Sequence, residues 1–109
     1  MPFFKAICQP LKFHNITELD FSSLCISSEG MKIVSESISS KTEKNALRSL
    51  HMNSCMLDDS SAMSFDMLFK NSPQIEFLSL ESNLFCSKIA EVLAQQIPNL
   101  HLLKYLSLQ

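Results

Sequence analysis

The stretch His-Met-Asn-Ser-Cys at residues 51–55 is where this chain comes closest to a reactive site. A thiol and an imidazole within hydrogen-bond reach make a nucleophilic pair, so His51 and Cys55 are the first candidates for chemistry. Met52 and Met56 add soft sulfur of the kind that binds soft metals. The four cysteines, Cys8, Cys25, Cys55 and Cys86, are separated by 17, 30 and 31 residues. That leaves no Cys-x-x-Cys pair of the sort that holds zinc. His14 and His101 have no companions at ligand spacing. No nucleophile elbow and no acid–base carboxylate pair is visible. Gly30 is the only glycine, which argues against glycine-rich phosphate loops and two-residue hairpins, both dependent on positive φ. Asn-Ile-Thr at residues 15–17 fits a glycosylation acceptor, a triplet that chance supplies often. Whether His51 and Cys55 can cooperate depends on the elements that carry them.

Composition narrows those elements. The chain has 109 residues, 46% of them hydrophobic, enough for one small domain or a piece of a larger one. Nine basic residues against 11 acidic ones leave a net charge of −2, without the basic footprint of a nucleic-acid binder. No apolar run approaches the roughly 20 residues of a membrane span. The opening Met-Pro-Phe-Phe-Lys-Ala-Ile-Cys-Gln-Pro is too interrupted for a secretory signal. Neither nucleic acid nor membrane is therefore expected as a partner. The cysteines are expected to be buried free thiols in a reducing compartment, and the protein cytoplasmic.

Comparing the sequence with itself reveals its organisation. Residues 75–85, Ile-Glu-Phe-Leu-Ser-Leu-Glu-Ser-Asn-Leu-Phe, match residues 47–57, Leu-Arg-Ser-Leu-His-Met-Asn-Ser-Cys-Met-Leu. Both place apolar residues at offsets 0, 3, 5 and 10 and an asparagine or cysteine at offset 8. An earlier copy starts at Ile16, with Leu19, Phe21 and Ile26, but puts Leu24 in the Asn/Cys slot. A fourth starts at Leu103, with Leu106 and Leu108. The starts lie 31, 28 and 28 residues apart, and the longer interval takes in the polar Ser-Ser-Lys-Thr-Glu-Lys-Asn at residues 39–45, suited to a surface loop.

Between the copies the apolar period lengthens to about four, with Val34 and Ile38, then Phe65 and Phe69, then Ile89, Leu93 and Ile97. A step of four returns to one helix face, so each unit reads as strand, loop and helix. Ser27 and Ser28, the run from Asp58 to Ser61, and Ser87 stand where helix caps belong. Asp58 and Asp59 would also favour the start of the second helix through its dipole. Pro73 and Pro98 mark the expected ends of the second and third helices.

The pattern L-x-x-L-x-L-x-x-N/C-x-L resembles the leucine-rich repeat family, in its ribonuclease-inhibitor-like, helix-containing subtype with units of about 28 residues. The resemblance implies an α/β fold: a short leucine-rich-repeat solenoid of about three and a half strand–loop–helix repeats. Its parallel sheet would form the concave face and its helices the convex one. The expected division is an N-terminal capping segment over residues 1–15 and repeats over 16–46, 47–74, 75–102 and, in part, 103–109. Phe3, Phe4, Ile7 and Leu11 are spaced for one face of a short capping helix. Offset 8 turns inward as the chain leaves each strand, where an Asn or Cys can hydrogen-bond loop backbone. Leu24 cannot, so the first repeat should turn differently.

Offsets 2, 4 and 6 then point away from the core in three rows. The first is Glu18, Ser49, Phe77 and Tyr105, the second Asp20, His51, Ser79 and Ser107, and the third Ser22, Asn53, Glu81 and Gln109. In this frame His51 faces out and Cys55 faces in, which separates the dyad, and Met52 occupies a core offset. Phe77 and Tyr105 are the leading contact candidates, because large aromatics on an open strand face are common interface anchors. His51, Asn53, Glu18, Asp20 and Glu81 complete the candidate surface, with an acidic tilt that suits a partner bearing Lys or Arg. The bland alternative is that the two rings only stack on each other and the carboxylates are merely solvated. No cofactor and no metal are expected, and no catalysis. The expected function is a protein-binding scaffold that seats a partner on the concave face. The alternative is a structural piece or assembly subunit of a larger repeat protein, with residues 105–109 covered by another chain or a second copy.

Overall fold

In a computed structural model, residues 16–39 and 46–108 are described, together with Cys8. The expected capping helix of residues 1–15, the polar loop of residues 40–45 and Gln109 lie outside the described residues.

Four three-residue strands form one sheet: β1 (Glu18–Asp20), β2 (Ser49–His51), β3 (Phe77–Ser79) and β4 (Tyr105–Ser107). They lie in sequence order, each parallel to the next. The register aligns Leu19 with Leu50, Leu50 with Leu78 and Leu78 with Leu106. Three helices return the chain from one strand to the next: α1 (Ser27–Ser39), α2 (Ala62–Lys70) and α3 (Ser87–Gln96). Neighbouring helices pack side by side behind the sheet, α1 on α2 and α2 on α3. Parallel strands need such a crossover, because a tight turn reverses the chain. This is the parallel-sheet, helix-backed repeat solenoid expected above.

The core lies between the two layers. Leu50, Met52, Leu78 and Leu80 from the strand side are wholly buried. Val34, Ile38, Phe65, Phe69, Ile89 and Leu93 meet them from the helices. Burying one such side chain contributes roughly 1.5–3 kcal/mol, so the stacked repeats share one continuous core. Phe65 adds an edge-on contact with Phe85 at 5.7 Å between ring centroids. Burial fades at the two ends of the sheet, where Leu19 and Leu106 are only half-buried.

The ladder of backbone hydrogen bonds repeats with the sequence. Thr17 O accepts the amides of Arg48 and Ser49, Arg48 O those of Glu76 and Phe77, and Glu76 O those of Lys104 and Tyr105. Where the chain leaves each of the first three strands, one residue takes positive φ: Ser23 at 66°, Ser54 at 55° and Ser82 at 59°. These three share offset 7. Scarcity of glycine therefore does not remove left-handed turns here. Serines and Met56 carry them, although such a conformation disfavours any residue with a Cβ.

Asn83 shows why offset 8 matters. Its Oδ1 accepts the amides of Cys55 at 2.9 Å and Leu57 at 3.1 Å. Its Nδ2 donates to Met52 O at 2.8 Å and has Leu80 O at 3.1 Å. One side chain thus satisfies loop backbone of its own repeat and of the one before. Cys55, one repeat earlier, reaches back the same way and donates its thiol to Phe21 O at 3.0 Å. Leu24 in the first slot does neither and is half exposed. A second positive φ follows at Ser27 in this turn and at Met56 in the next, at different offsets.

The helix starts differ from the expectation. Asp58 does cap the short 3₁₀ turn that leads into α2, accepting from Ser60 N. Asp59 does not serve that helix. Its carboxylate accepts the amides of Cys86 at 2.7 Å and Lys88 at 3.0 Å, so it caps α3, one repeat further on. Ser87 is the first residue of α3 rather than its cap. Capping from a neighbouring repeat cannot be read from local spacing. Pro73 follows the end of α2, whereas Pro98 lies inside a 3₁₀ turn, Ile97–Asn99, that extends α3.

A candidate recognition face on the sheet

The sheet face opposite the helices carries the outward rows in register. Glu18 pairs with Ser49, Ser49 with Phe77 and Phe77 with Tyr105, while Asp20, His51, Ser79 and Ser107 form the row beside them. Because the strands are parallel and unshifted, side chains one repeat apart in sequence become neighbours about 4.8 Å apart.

That spacing suits ring stacking. Phe77 and Tyr105 lie nearly parallel, 6° apart, with centroids separated by 4.2 Å. His51 reaches Phe77 diagonally from the row beside it on the next strand, at 4.7 Å and tilted by 32°. Three flat side chains from β2, β3 and β4 therefore form one shelf. Tyr105 remains 44% exposed, although its neighbour covers one face. Stacking and exposure thus occur together.

Below the shelf a hydrogen-bonded row knits the strand ends. Ser22 Oγ accepts Asn53 N at 3.1 Å. Asn53 Oδ1 accepts Glu81 N and the Ser79 hydroxyl, each at 2.8 Å. Asn53 and Ser79 are thereby committed to the scaffold, and Ser79 is buried. Asp20 accepts the Ser22 amide at 2.9 Å, which, with the Ser22 side chain and the nearby His51, holds its carboxyl below the usual carboxylate range. Of the remaining candidates, Glu18 is exposed and Glu81 half-buried. Gln109 lies outside the described residues.

On the other side of the shelf runs a row of charges that offsets 2, 4 and 6 leave out. Arg48, Glu76 and Lys104 occupy offset 1 of three successive repeats. The Glu76 carboxylate takes Arg48 Nη2 at 2.6 Å on one oxygen and Lys104 Nζ at 3.2 Å on the other. The two cations, Arg48 first, hold the Glu76 carboxyl below its ordinary range. A signal was present in the sequence, since plus, minus and plus recur at a step of 28 residues. Between this row and the rings lies an open groove of about 330 Å³ that crosses all four strands.

The thiols and the dyad resolve by geometry. Cys55 is wholly buried with its thiol on Phe21 O, while His51 faces outward against Phe77, so the two do not form a pair. Met52 is core and Met56 exposed. Burial pushes the Cys8 and Cys55 thiols up from their ordinary range. Cys25 and Cys86, expected to be buried, are exposed. They fall in the loops between inward-facing offsets, where the repeat does not require burial. Among the described residues, no cluster of three or more His, Cys, Asp or Glu is arranged to hold a metal ion. Among them, too, no helix is long and apolar enough to cross a membrane.

No family model matches the sequence, and no curated protein matches it. Among solved structures, the chain is similar to a tropomodulin C-terminal domain from Caenorhabditis elegans, with a TM-score of 0.69 at 16% sequence identity. The match covers 97% of this chain and 62% of that one, so this chain spans under two thirds of its structural neighbour. At that identity the likeness is one of fold: a leucine-rich-repeat-like α/β architecture of parallel strands backed by helices.

Proposed function

We propose that this chain is a non-catalytic protein-recognition module of the ribonuclease-inhibitor-like leucine-rich-repeat type, which seats a protein partner on its open, concave sheet face. One observation carries the reading: the aromatic run His51–Phe77–Tyr105 crosses three strands on the sheet face that lies opposite the described helices. Rigid aromatic surface is a common source of interface energy, since it offers large area at little entropic cost. Phe77 and Tyr105 are the anchors, with Glu18, Asp20, His51, Asn53 and Glu81 around them. The committed hydrogen bonds of Asn53 and Ser79 favour a positioning role for that row. Among the described residues the face carries an open groove, which suits recognition better than turnover. The free thiols fit a reducing, cytoplasmic setting. Affinity capture of the partner from native cells, repeated with the Phe77→Ser, Tyr105→Ser double variant, tests the proposal. Loss of the partner with an unchanged circular dichroism spectrum supports it, and retained capture refutes it.

A second reading rests on β4. Leu106 is half-buried where Leu50 and Leu78 are wholly buried, and Leu102 and Leu108 are exposed. An open parallel edge with apolar side chains is a place for further pairing. In that reading the chain works as a part of a larger repeat protein or assembly, its last strand covered by another chain or a second copy. Light scattering across a concentration series separates the versions, because a strict monomer excludes self-association through β4.

A further inference from the structure

The groove between the ring row and the charge row has two unlike ends. At β1 the charged side chain that lines it is Glu18, which is exposed. At β4 the charged side chain is Lys104, about three quarters exposed, whose ion pair among the described residues is with Glu76. Between them Arg48 and Glu76 largely neutralise each other. The field along the groove therefore runs from negative at β1 to positive at β4, with the Phe77–Tyr105 shelf as its wall near the positive end.

The groove is also preorganised. Its floor is the backbone ladder in which Thr17, Arg48 and Glu76 carbonyls each hold two amides of the next repeat. Arg48 and Lys104 are held by Glu76, so a ligand that meets them immobilises less side-chain freedom than it would on free lysines. Lys104 keeps donors to spare beyond its pair with Glu76.

We propose that this groove seats an extended peptide segment of mixed charge, which lies across the strands. It would set a carboxylate side chain against Lys104, a flat apolar side chain on the Phe77 part of the shelf and a basic side chain against Glu18. The occupant follows from charge complementarity and from length. Three strand spacings from β1 to β4 make about 14 Å, which an extended chain covers in about four steps of 3.3 Å. Alternate residues of an extended chain share one face, so the basic, aromatic and acidic side chains fall at positions i, i+2 and i+4 of the segment. This rests on the proposal that the sheet face is the recognition surface, and it names the chemistry of that partner. It also refines the acidic tilt inferred from the outward rows, since Lys104 gives the β4 end the opposite sign.

The test uses the whole chain and three acetylated, amidated peptides: Lys-Ser-Phe-Ser-Glu, Lys-Ser-Phe-Ser-Lys and Glu-Ser-Phe-Ser-Glu. Each is titrated to millimolar concentration while the ring signals of Phe77, Tyr105 and His51 are followed by NMR. Peptide direction across the strands is free, so like-ended peptides are the proper controls. The mixed peptide is expected to bind about threefold or more tighter than either control at low salt, as exposed ion pairs permit, and added salt should level the three. Lys104→Glu should make the doubly basic peptide the tightest. Equal binding of the three, an unchanged preference in the Lys104 variant, or no ring shifts with any peptide would overturn the proposal. If the native partner still depends on Phe77 and Tyr105 while the peptides fail, the groove assignment falls and the broader sheet-face reading stands.

Discussion

Asn83 Oδ1 holds the Cys55 amide at 2.9 Å, across 28 residues of sequence and a single step of the solenoid. The same oxygen takes the Leu57 amide, and the amide group on its other side serves Met52 O. Asn83→Ala would strand several half-buried backbone groups at once. Each costs about 1–3 kcal/mol when left without a partner, so the variant is expected to lose about 2–4 kcal/mol in urea unfolding. Asn53→Ala should lose less, because the Asn53 side chain serves one backbone amide, that of Glu81. Equal stability of Asn83→Ala and the parent would show that the inter-repeat bond is not a determinant of the fold.

The acidic limb of the stability profile should report on the inter-repeat cap. Backbone amides, that of Cys86 foremost, hold the Asp59 carboxyl below its ordinary range, and the hydroxyl of Ser60 does the same for Asp58. Carboxyls whose folded values are depressed stabilise the native state at pH above the unfolded value. That contribution is lost as pH falls through the folded value. Unfolding midpoints should therefore stay level from neutral pH to about pH 5 and decline below about pH 4. Asp59→Asn should make that decline shallower and lower the melting temperature at pH 7. An identical acid limb in the variant would contradict the cap.

The thiols should fall into two classes. Cys25 and Cys86 are exposed, while Cys8 and Cys55 are buried with raised thiol values. In a native titration with a chromogenic disulfide at pH 8, two thiols should react quickly and two only as fast as the protein opens. Cys25→Ser and Cys86→Ser together should abolish the fast phase. A fast reaction of Cys55 would mean that its bond to Phe21 O does not persist in solution.

How much of this could be read beforehand follows from where each feature lives. Burial at offsets 3 and 5 repeats with the strand period, so Leu50, Met52, Leu78 and Leu80 announce the core and the parallel register. The ring row is legible for the same reason: once repeats stack unshifted, Phe77 and Tyr105 must meet. The role of Asp59 is not legible, because its partner amides at Cys86 and Lys88 belong to another repeat and only the packing angle brings them close. The exposure of Cys25 and Cys86 escapes a rule based on composition, since burial here is decided by offset and not by residue type. Arg48, Glu76 and Lys104 were recoverable from their 28-residue step. They sit one position before the strands begin, where strict alternation no longer tells which way a side chain points.

A buried-core substitution should behave unlike one on the face. Leu80 is wholly buried, and Leu80→Asp removes roughly 2–3 kcal/mol of burial and places a charge in the core, so the chain should lose its cooperative unfolding transition. Tyr105→Ser removes a partly exposed ring and should cost only about 1 kcal/mol. Equal losses by urea unfolding would mean that Tyr105 is a core residue and not a contact surface.

The account stands most directly on which side of the solenoid meets a partner. A photo-crosslinking residue placed at Ser49, in the groove on the sheet face, can be compared with one at Met63, which is 85% exposed on α2. Crosslinks to the captured partner from position 49 and none from position 63 are the expected result. Crosslinks from position 63 alone would place recognition on the helices and contradict the account.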